Sequence, residues 1–441
     1  MKKLITTLSN IWKIEDLRAR ILFTLLCLLV YRIGCFVVLP GVNHALLHNQ
    51  AQEGLLGMLN MFAGGAFSRA SIFALGVMPY ISASIVVQLL SIAVPHFQKL
   101  QKEGESGRMK LNQTTRYLTI AITLLQAGGY IKSQITPEMK LISEPLFTIS
   151  SMFVLTAGTM FVMWLGEKIT DKGIGNGISL IIMVGIIAQL PSSLISEFSS
   201  RMGGHGGLIP FIAEIVGLFL VIMFTILIVQ GVRRVPVQYA KKIIGSNKQQ
   251  GGARQYIPLK VNAAGVMPII FAQAIMFVPA AVIQFFPAMQ VSFITSLSDY
   301  TSFAYNITFS IMIILFTFFY TAITINPVQM ADDMKKNGGF IPGIKPGLAT
   351  GEFIDSIISK VTLPGSIFLA IIAVFPSIAT IIGVNSQFAH FYGGTSLLIL
   401  VGVVLDTLQQ IESHLLMRHY DGLMKTGRIR ERTLAIVDPI T

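Results

Sequence analysis

The chain has 441 residues, of which 53% are hydrophobic and only 12% are charged, and its formal net charge is +12. The charged fraction is about half that of an average soluble domain, and the composition excludes disordered, collagen-like and disulfide-bonded classes. Apolar residues come in runs of about 20, the length of a helix that crosses a hydrocarbon core, whereas barrel strands need only about 10 residues. The sequence therefore predicts an all-α polytopic membrane protein.

The N-terminal residues precede the first apolar run and place Leu4, Leu8 and Ile11 at roughly helical spacing. We expect residues 1–18 to form a cytoplasmic amphipathic segment on the membrane surface, with a solvated tail as the alternative. The following run, 19–39, is too long for a signal-peptide core and lacks a small-residue cleavage motif. It is therefore expected to remain as the first membrane helix.

Apolar spans and the charges beside them predict the topology of the chain. An even number of spans, ten, places both termini on one side of the membrane. The loops and termini on that side hold 28 of the 33 lysines and arginines, and the positive-inside rule makes that side cytoplasmic. The predicted spans are 19–39, 71–94, 116–134, 146–166, 176–195, 208–230, 262–286, 304–325, 361–383 and 392–416.

A short apolar segment lies between the first two spans. Residues 58–69 are rich in small side chains and are interrupted by Gly64 and Gly65. The segment is too short to span a membrane, and nonhelical backbone at membrane depth is tolerated only where protein buries it or where it lines a cavity. We predict a re-entrant segment that fills a cavity, and an interfacial loop is the alternative.

Two long loops on the basic side are candidates for partner contact. The loop 231–260 holds seven basic and no acidic residues, which either sets the topology alone or forms a docking surface for an anionic partner such as RNA or an acidic protein. The loop 326–360 contains a segment, 337–347, with four glycines and two prolines. Such a segment cannot form a regular helix, and a shaped loop tip is typical of partner contact.

The spans carry little charge and no catalytic motif. Arg32 and Asp406 lie within spans, and we predict that they are structural ions facing the bundle interior. The sequence contains no His-Glu-x-x-His, phosphate-binding lysine loop or Gly-x-Ser-x-Gly motif. We therefore predict a protein that is not an enzyme, with no catalytic residue, no metal site and no cofactor.

Long motifs in the sequence resemble one family. Residues 71–90, SIFALGVMPYISASIVVQLL, closely resemble the second-helix signature of the SecY family, the central subunits of the bacterial Sec protein-conducting channel (the translocon). Residues 164–179, WLGEKITDKGIGNGIS, resemble the second signature of that family. Shorter stretches are similar in the same order along nearly the whole chain: 102–108, 258–262, 326–327 and 393–399.

The resemblance implies a fold of two inverted halves around an hourglass pore. The N-terminal half, 19–195, would hold helices one to five and a short re-entrant plug helix at about 55–70. The C-terminal half, 196–416, would hold helices six to ten and the two cytoplasmic loops, followed by a cytoplasmic tail at 417–441. The implied function is a passive channel in the bacterial cytoplasmic membrane, which passes unfolded preproteins across and membrane-protein helices laterally into the bilayer.

The resemblance also implies roles for individual residues. An aliphatic constriction, the pore ring, matches Val77, Ile81, Ile178, Ile182, Ile270 and Ile399. The plug matches Met58, Asn60, Met61, Phe62, Gly64, Gly65 and Arg69. A lateral gate matches Ser82, Ile85, Gln88, Gln126 and Asn262, of which Ser82, Gln126 and Asn262 would hydrogen-bond across helices. The positions that dock the ribosome or the motor in the family correspond to Arg233, Arg234, Lys241, Lys242, Arg254 and Lys345. Lys345 stands where the family usually has arginine.

The implied partners are the small membrane subunits SecE and SecG, the SecA motor ATPase, the ribosome through rRNA contact, signal sequences, nascent chains and membrane lipid. SecDF and YidC are further candidates. Two other functions compete with the channel. A secondary solute transporter with an inverted-repeat fold is disfavoured by the charge-poor spans and the aliphatic ring, and an intramembrane enzyme is disfavoured by the missing catalytic residues.

Overall fold

The protein is described by a computed structural model that is mainly helical. The structure describes residues 12, 14–43, 55–203, 207–239, 242–243, 249–250, 255–285, 295–297 and 299–426. The helices are α1 (Glu15–Gly34), α2 (Leu55–Phe62), α3 (Met78–Ala93), α4 (Pro95–Lys102), α5 (Glu105–Gln134), α6 (Glu144–Lys172), α7 (Gly177–Met202), α8 (Leu208–Gln230), α9 (Met267–Phe285), α10 (Phe303–Thr324), α11 (Pro327–Lys336), α12 (Leu348–Ile382), α13 (Ser386–Ala389) and α14 (Gly394–Thr426). The strands are β1 (Val232–Tyr239), β2 (Lys242–Ile243), β3 (Gln249–Gln250), β4 (Gln255–Lys260) and β5 (Gly339–Phe340).

Each of the ten predicted spans contains a long described helix: α1, α3, α5, α6, α7, α8, α9, α10, α12 or α14. Within the described ranges, length and composition alone qualify six helices as membrane-spanning. The number rises to seven when α3 and α4, which meet at an angle of 98°, are counted as one span. The protein is thus a multi-pass membrane protein, and the count of ten remains a prediction.

Several predicted boundaries differ from the observed ones. The second span was expected from residue 71, but residues 71–77 form turns and α3 begins at Met78. The positive φ of Gly76 and the proline at position 79 explain this start, because proline favours the first turn of a helix. The last helix continues to Thr426, into the predicted cytoplasmic tail. The predicted N-terminal amphipathic segment lies mostly outside the described residues.

Two hydrophobic cores share the last long helix. The first core joins residues of α1, α3, α5, α6 and α7 to Ile399 and Val403 of α14. The second core joins α9, α10 and α12 to Leu397, Leu398 and Val401 of α14. Because α14 contributes to both cores, the N-terminal and C-terminal parts of the chain meet along it.

A three-stranded antiparallel sheet, in the order β4-β1-β5, joins the two long basic-side loops. Strand β1 pairs with β4 from Val232 opposite Lys260 to Val237 opposite Gln255, and its end pairs with β5. Alternation along β1 turns Val235 and Val237 inward, where they form a small separate core with residues of β4, α11 and α12. The sequence predicts loops at 231–260 and 326–360, and the sheet between them is a finding of the structure.

An ion cluster links three parts of the bundle near the connection from α7 to α8. Arg201 on α7 donates to Glu197 at 2.9 Å, to Glu214 on α8, and to the carbonyl oxygen of Gly383 at 2.8 Å. The other carboxylate oxygen of Glu197 accepts from the backbone nitrogen of Asn385 at 2.9 Å. The cluster therefore fixes α7 to α8 and to the segment that follows α12.

We expect Arg201→Met to lower the free energy of unfolding by about 3–5 kcal/mol, because it leaves the buried carboxylate of Glu197 without its counter-charge. Thermal unfolding of the purified protein measures the loss of stability. The matched control is Arg116→Met, which breaks a more exposed pair with Glu167 and should cost about 1 kcal/mol or less. Equal losses in the two variants would contradict a structural role for the cluster.

Candidate functional site

The structure brings all six predicted ring residues into one hydrophobic cluster. Val77, Ile182 and Ile399 are buried, and the remaining three are half-buried and pack against the same cluster. They come from the turn before α3 and from α3, α7, α9 and α14. These helices belong to both parts of the chain, so the cluster lies where the two parts meet.

Two cavities border this cluster, and they differ greatly in size. The larger holds about 380 Å³ and includes polar residues such as Asn176, Lys260 and Asp406 in its wall. The smaller holds about 20 Å³, room for roughly one water molecule. Ile182, Ile270 and Ile399 line both cavities. The aliphatic side chains therefore lie between a large cavity with polar residues in its wall, called the vestibule below, and a small one.

The chemistry of this constriction follows from its residue types. Aliphatic side chains provide no ligand that could replace the hydration shell of an ion, and a narrow apolar constriction blocks water and ions by dewetting. They also offer no fixed hydrogen bond to a peptide. A collar of this kind can close around many sequences and still block small ions.

The predicted plug lies against the small cavity. Phe62, the last residue of α2, lines that cavity together with the ring residues. A tight approach to α7 holds it there: a Cβ on Gly185 would lie 2.7 Å from the carbonyl oxygen of Phe62. Gly64 and Gly65 then reverse the chain with φ values of +63° and +83°, which favour glycine. Below, the plug segment means residues 55–70.

Hydrogen bonds brace the plug segment internally and attach it to neighbouring helices. The side chain of Asn60 accepts from the backbone nitrogen of Ser68 at 3.0 Å. The hydroxyl of Tyr130 on α5 donates to the carbonyl oxygen of Phe67 at 2.7 Å. Met61 is buried, and for Met58 the structure describes the backbone position on α2.

Two arginines meet beside the plug segment. Arg32 on α1 donates to the carbonyl oxygen of Gly64 at 2.6 Å. The guanidinium carbons of Arg32 and Arg69 lie 5.1 Å and 4.4 Å from the centre of the Phe36 ring. The position of Arg32 in an apolar span predicts that it faces the bundle interior. Its contact with the plug segment is not predicted from the sequence.

Ser82 and Asn262, two polar residues of the predicted lateral gate, have different surroundings. The Ser82 hydroxyl donates to the carbonyl oxygen of Met78 in its own helix at 3.2 Å, a local bond that serine commonly makes. Asn262 is buried beside the larger cavity, and its Oδ1 has no hydrogen-bond partner. In the described part of the chain, no hydrogen bond joins Ser82, Gln126 and Asn262 to one another. The expected cross-helix bonds are thus not formed among these described residues, and their assignment to a lateral gate stays a prediction.

Two further predicted gate residues lie on α3. Ile85 is buried, and the amide of Gln88 donates to Ser84 of its own helix at 3.4 Å. Helices α5 and α9 contact each other. Gln273 on α9, which is not among the predicted site residues, is buried and lines the small cavity. An amide in the middle of an apolar run is the sequence feature that marks it.

Three of the predicted docking residues lie on or near the three-stranded sheet. Arg233 and Arg234 are exposed on β1, and Lys345 is exposed in the tip beyond β5. Because β5 pairs with β1, the sheet brings the two loops together. For Lys242 the structure describes the backbone of β2, whereas Lys241 and Arg254 lie outside the described residues.

No metal centre is found within the described ranges: no three histidine, cysteine, aspartate or glutamate side chains come together as a possible ligand group. The acidic residues of the ion cluster near Arg201 are instead paired with that arginine.

Comparison with known proteins agrees with this architecture. The SecY family profile matches residues 71–408. The protein translocase subunit SecY of Streptomyces scabiei is 43% identical over 442 residues, covering 96% of this chain and all of that protein. A solved structure concerns the SecY plug domain, described as stabilizing the closed state of the channel and maintaining a membrane seal. It covers 92% of this chain and 95% of its own, with a TM-score of 0.65 and 18% identity.

A second solved structure is Sec61 in the canine ribosome-channel complex from the endoplasmic reticulum. It covers 92% of this chain and 95% of its own, with a TM-score of 0.61 and 17% identity. Likeness at this level of identity shows a shared fold. The family profile and the full-length similarity to the Streptomyces protein together show that this chain belongs to the SecY family.

Proposed function

We propose that this chain is the central pore-forming subunit of a Sec translocon in the bacterial cytoplasmic membrane. It passes unfolded preproteins across the membrane and membrane-protein helices laterally into it. The observation that carries the proposal is that Ile182, Ile270 and Ile399 line both a cavity of about 380 Å³ and the small cavity that Phe62 of the plug segment also lines. The name of the Streptomyces relative, a protein translocase subunit, supports the same function.

The constriction favours a polypeptide channel over a solute transporter. A transporter for ions or polar solutes needs ligands or charges at its narrow part, and Ile182, Ile270 and Ile399 offer none. An extended peptide needs a collar that adapts to different side chains. The chain supplies the path, and partners supply the energy for movement.

The plug segment would close the resting channel on the side of the constriction away from the vestibule. Phe62 already lines the cavity beside Ile182 and Ile270. The segment packs on α7 through a glycine contact and is attached by a few hydrogen bonds. A segment held in this way can leave when a polypeptide enters. The plug described for the SecY structure supports this role.

The seam between α3 with α5 and α9 with α10 would be the lateral exit into lipid. Helix–helix association in a membrane depends on packing and on interhelical hydrogen bonds. In the described part of the chain, Ser82, Gln126 and Asn262 share no hydrogen bond with one another, and no ion pair joins α3 or α5 to α9 or α10. We infer that this seam separates more readily than one joined by an ion cluster.

The three-stranded sheet would face the cytoplasm, together with both chain termini. Its exposed Arg233 and Arg234 provide positive charge for rRNA or an acidic protein surface. The ribosome in the Sec61 complex supports the ribosome as one partner. We propose SecE and SecG as small membrane subunits and SecA as the motor, with SecDF and YidC as further candidates.

The function is tested in membrane vesicles that contain the chain with its small subunits and the SecA motor. We expect ATP-dependent uptake of a presecretory protein, because the chain forms the path and the motor supplies the work. Solute counterflow without protein uptake would contradict the channel and favour a transporter.

The constriction predicts a specific change in ion leak. We expect the double variant Ile81→Ser, Ile270→Ser to raise resting conductance in planar bilayers by about tenfold, since lowering the permeation barrier by about 1.4 kcal/mol has that effect. Hydroxyl groups would hydrate a ring that is otherwise apolar. The control, Ile81→Leu with Ile270→Leu, keeps the ring aliphatic and should stay near the parent value. Unchanged conductance in the serine variant would show that these residues are ordinary packing.

The docking surface predicts salt-dependent binding. We expect Arg233→Glu with Arg234→Glu to weaken ribosome binding and to reduce the slope of log affinity against log salt by about 2, one for each lost phosphate contact. Co-sedimentation with ribosomes over a salt series measures both quantities. Reversal of Lys132, a basic residue on the opposite side of the predicted topology, is the matched control and should change neither. Normal binding by the double variant would leave topology as the role of these arginines.

A further inference from the structure

Arg32 reaches the plug segment across 32 residues of sequence. Its Nη1 donates to the carbonyl oxygen of Gly64 at 2.6 Å. A Cβ on Gly64 would lie only 2.8 Å from the same Nη1, so the guanidinium rests directly on the turn. Because the acceptor belongs to the main chain, the bond depends on the shape of the turn rather than on the plug's side chains.

The other donors to this segment from neighbouring helices are uncharged. The hydroxyl of Tyr130 donates to the carbonyl oxygen of Phe67 at 2.7 Å. The thiol of Cys35 lies 3.9 Å from the carbonyl oxygen of Ala63, a weak contact. Hydrogen bonds with an ionised donor are about twice as strong as neutral ones. Arg32 is therefore the strongest polar attachment among these three.

A second arginine opposes this attachment. Arg69 belongs to the plug segment, and its guanidinium shares the Phe36 ring with that of Arg32. None of the ion pairs in the described part of the chain includes either arginine. The Nη1 of Arg69 is buried without a hydrogen-bond partner. Two like charges on one aromatic ring, neither of them in an ion pair, repel each other, and more strongly where water is scarce.

We propose that Arg32 is a positioning residue that holds the plug segment in the closed channel, and that Arg69 beside it keeps this hold weak enough for release. The inference rests on the proposed function, because it takes residues 55–70 as the plug. Removing the charge of Arg32 should favour release of the plug segment, because Arg32 attaches it. Removing the charge of Arg69 should disfavour release, because Arg69 repels Arg32.

The test measures plug position and leak in the complete complex. Ala66→Cys places a thiol at a buried position of the plug segment, and its alkylation rate reports how often the segment leaves. Cys27 and Cys35 are replaced by alanine in every chain compared. We expect Arg32→Gln to raise alkylation and resting conductance about tenfold, the effect of losing a charged hydrogen bond. Arg32→Lys should restore much of the parent behaviour, because it keeps the charge and a donor.

The matched variant is Arg69→Gln, which should lower alkylation below the parent value. Tyr130→Phe removes an uncharged bond to the same segment and should raise alkylation less than Arg32→Gln. If Arg32→Gln and Arg69→Gln change alkylation in the same direction, or if neither changes it, the inference is overturned. Rescue by lysine distinguishes loss of the attachment from a general loss of packing.

Deletion of residues 58–67 separates this inference from the proposed function. If the deletion leaves resting conductance unchanged, the plug assignment itself fails. If the deletion raises conductance but Arg32→Gln does not, the plug stands and the role of Arg32 is refuted. In the deletion background, Arg32→Gln should add no further leak. A further rise there would show that Arg32 acts on helix packing instead of on the plug segment.

Discussion

The structure depends on one constraint: the two parts of the chain meet through side chains that cannot bind water or ions. Ile182, Ile270 and Ile399 come from three helices and line both a cavity of about 380 Å³ and one of about 20 Å³. Helix α14 contributes to the cores of both parts. A relative movement of the two parts would therefore change the shape of the aliphatic cluster, and under the proposed function it would change the width of the pore.

Polar contacts lie around the aliphatic cluster, and their distribution is uneven. At the connection from α7 to α8, Arg201 joins Glu197, Glu214 and a backbone carbonyl. Breaking a buried cluster of this kind costs several kcal/mol. At the seam of α3 and α5 with α9, the described residues Ser82, Gln126 and Asn262 share no hydrogen bond with one another, and none of the ion pairs in the described part of the chain crosses it. The connection from α7 to α8 is thus joined by a buried ion cluster, whereas the seam is not.

Much of this arrangement could be predicted from the sequence. Runs of apolar residues predicted a helix within each span, and glycines at 64 and 65 indicated a broken, re-entrant segment. The start of α3 was missed because the turns at 71–77 are as apolar as the helix after them. The sheet was missed because β5 is a two-residue strand from a distant loop. The contacts of Arg32 and Ser82 depend on which partner lies nearest in three dimensions, and residue type alone does not specify this.

The position of the sheet places the proposed docking surface a short distance along the chain from the proposed pore ring. Strand β4 ends at Lys260, and residues 261–266 lead from it into α9, which carries Ile270 and Gln273. Val235 and Val237 anchor the sheet to α11 and α12 through a separate core, so β1 and β4 move as one body rather than as free loops. Under the proposed function, a partner bound to Arg233 and Arg234 would act on that body, and preordered charges lose less entropy on binding than mobile ones. A displacement of β4 would then reach Ile270 through the six residues 261–266, without a signal having to cross the whole bundle.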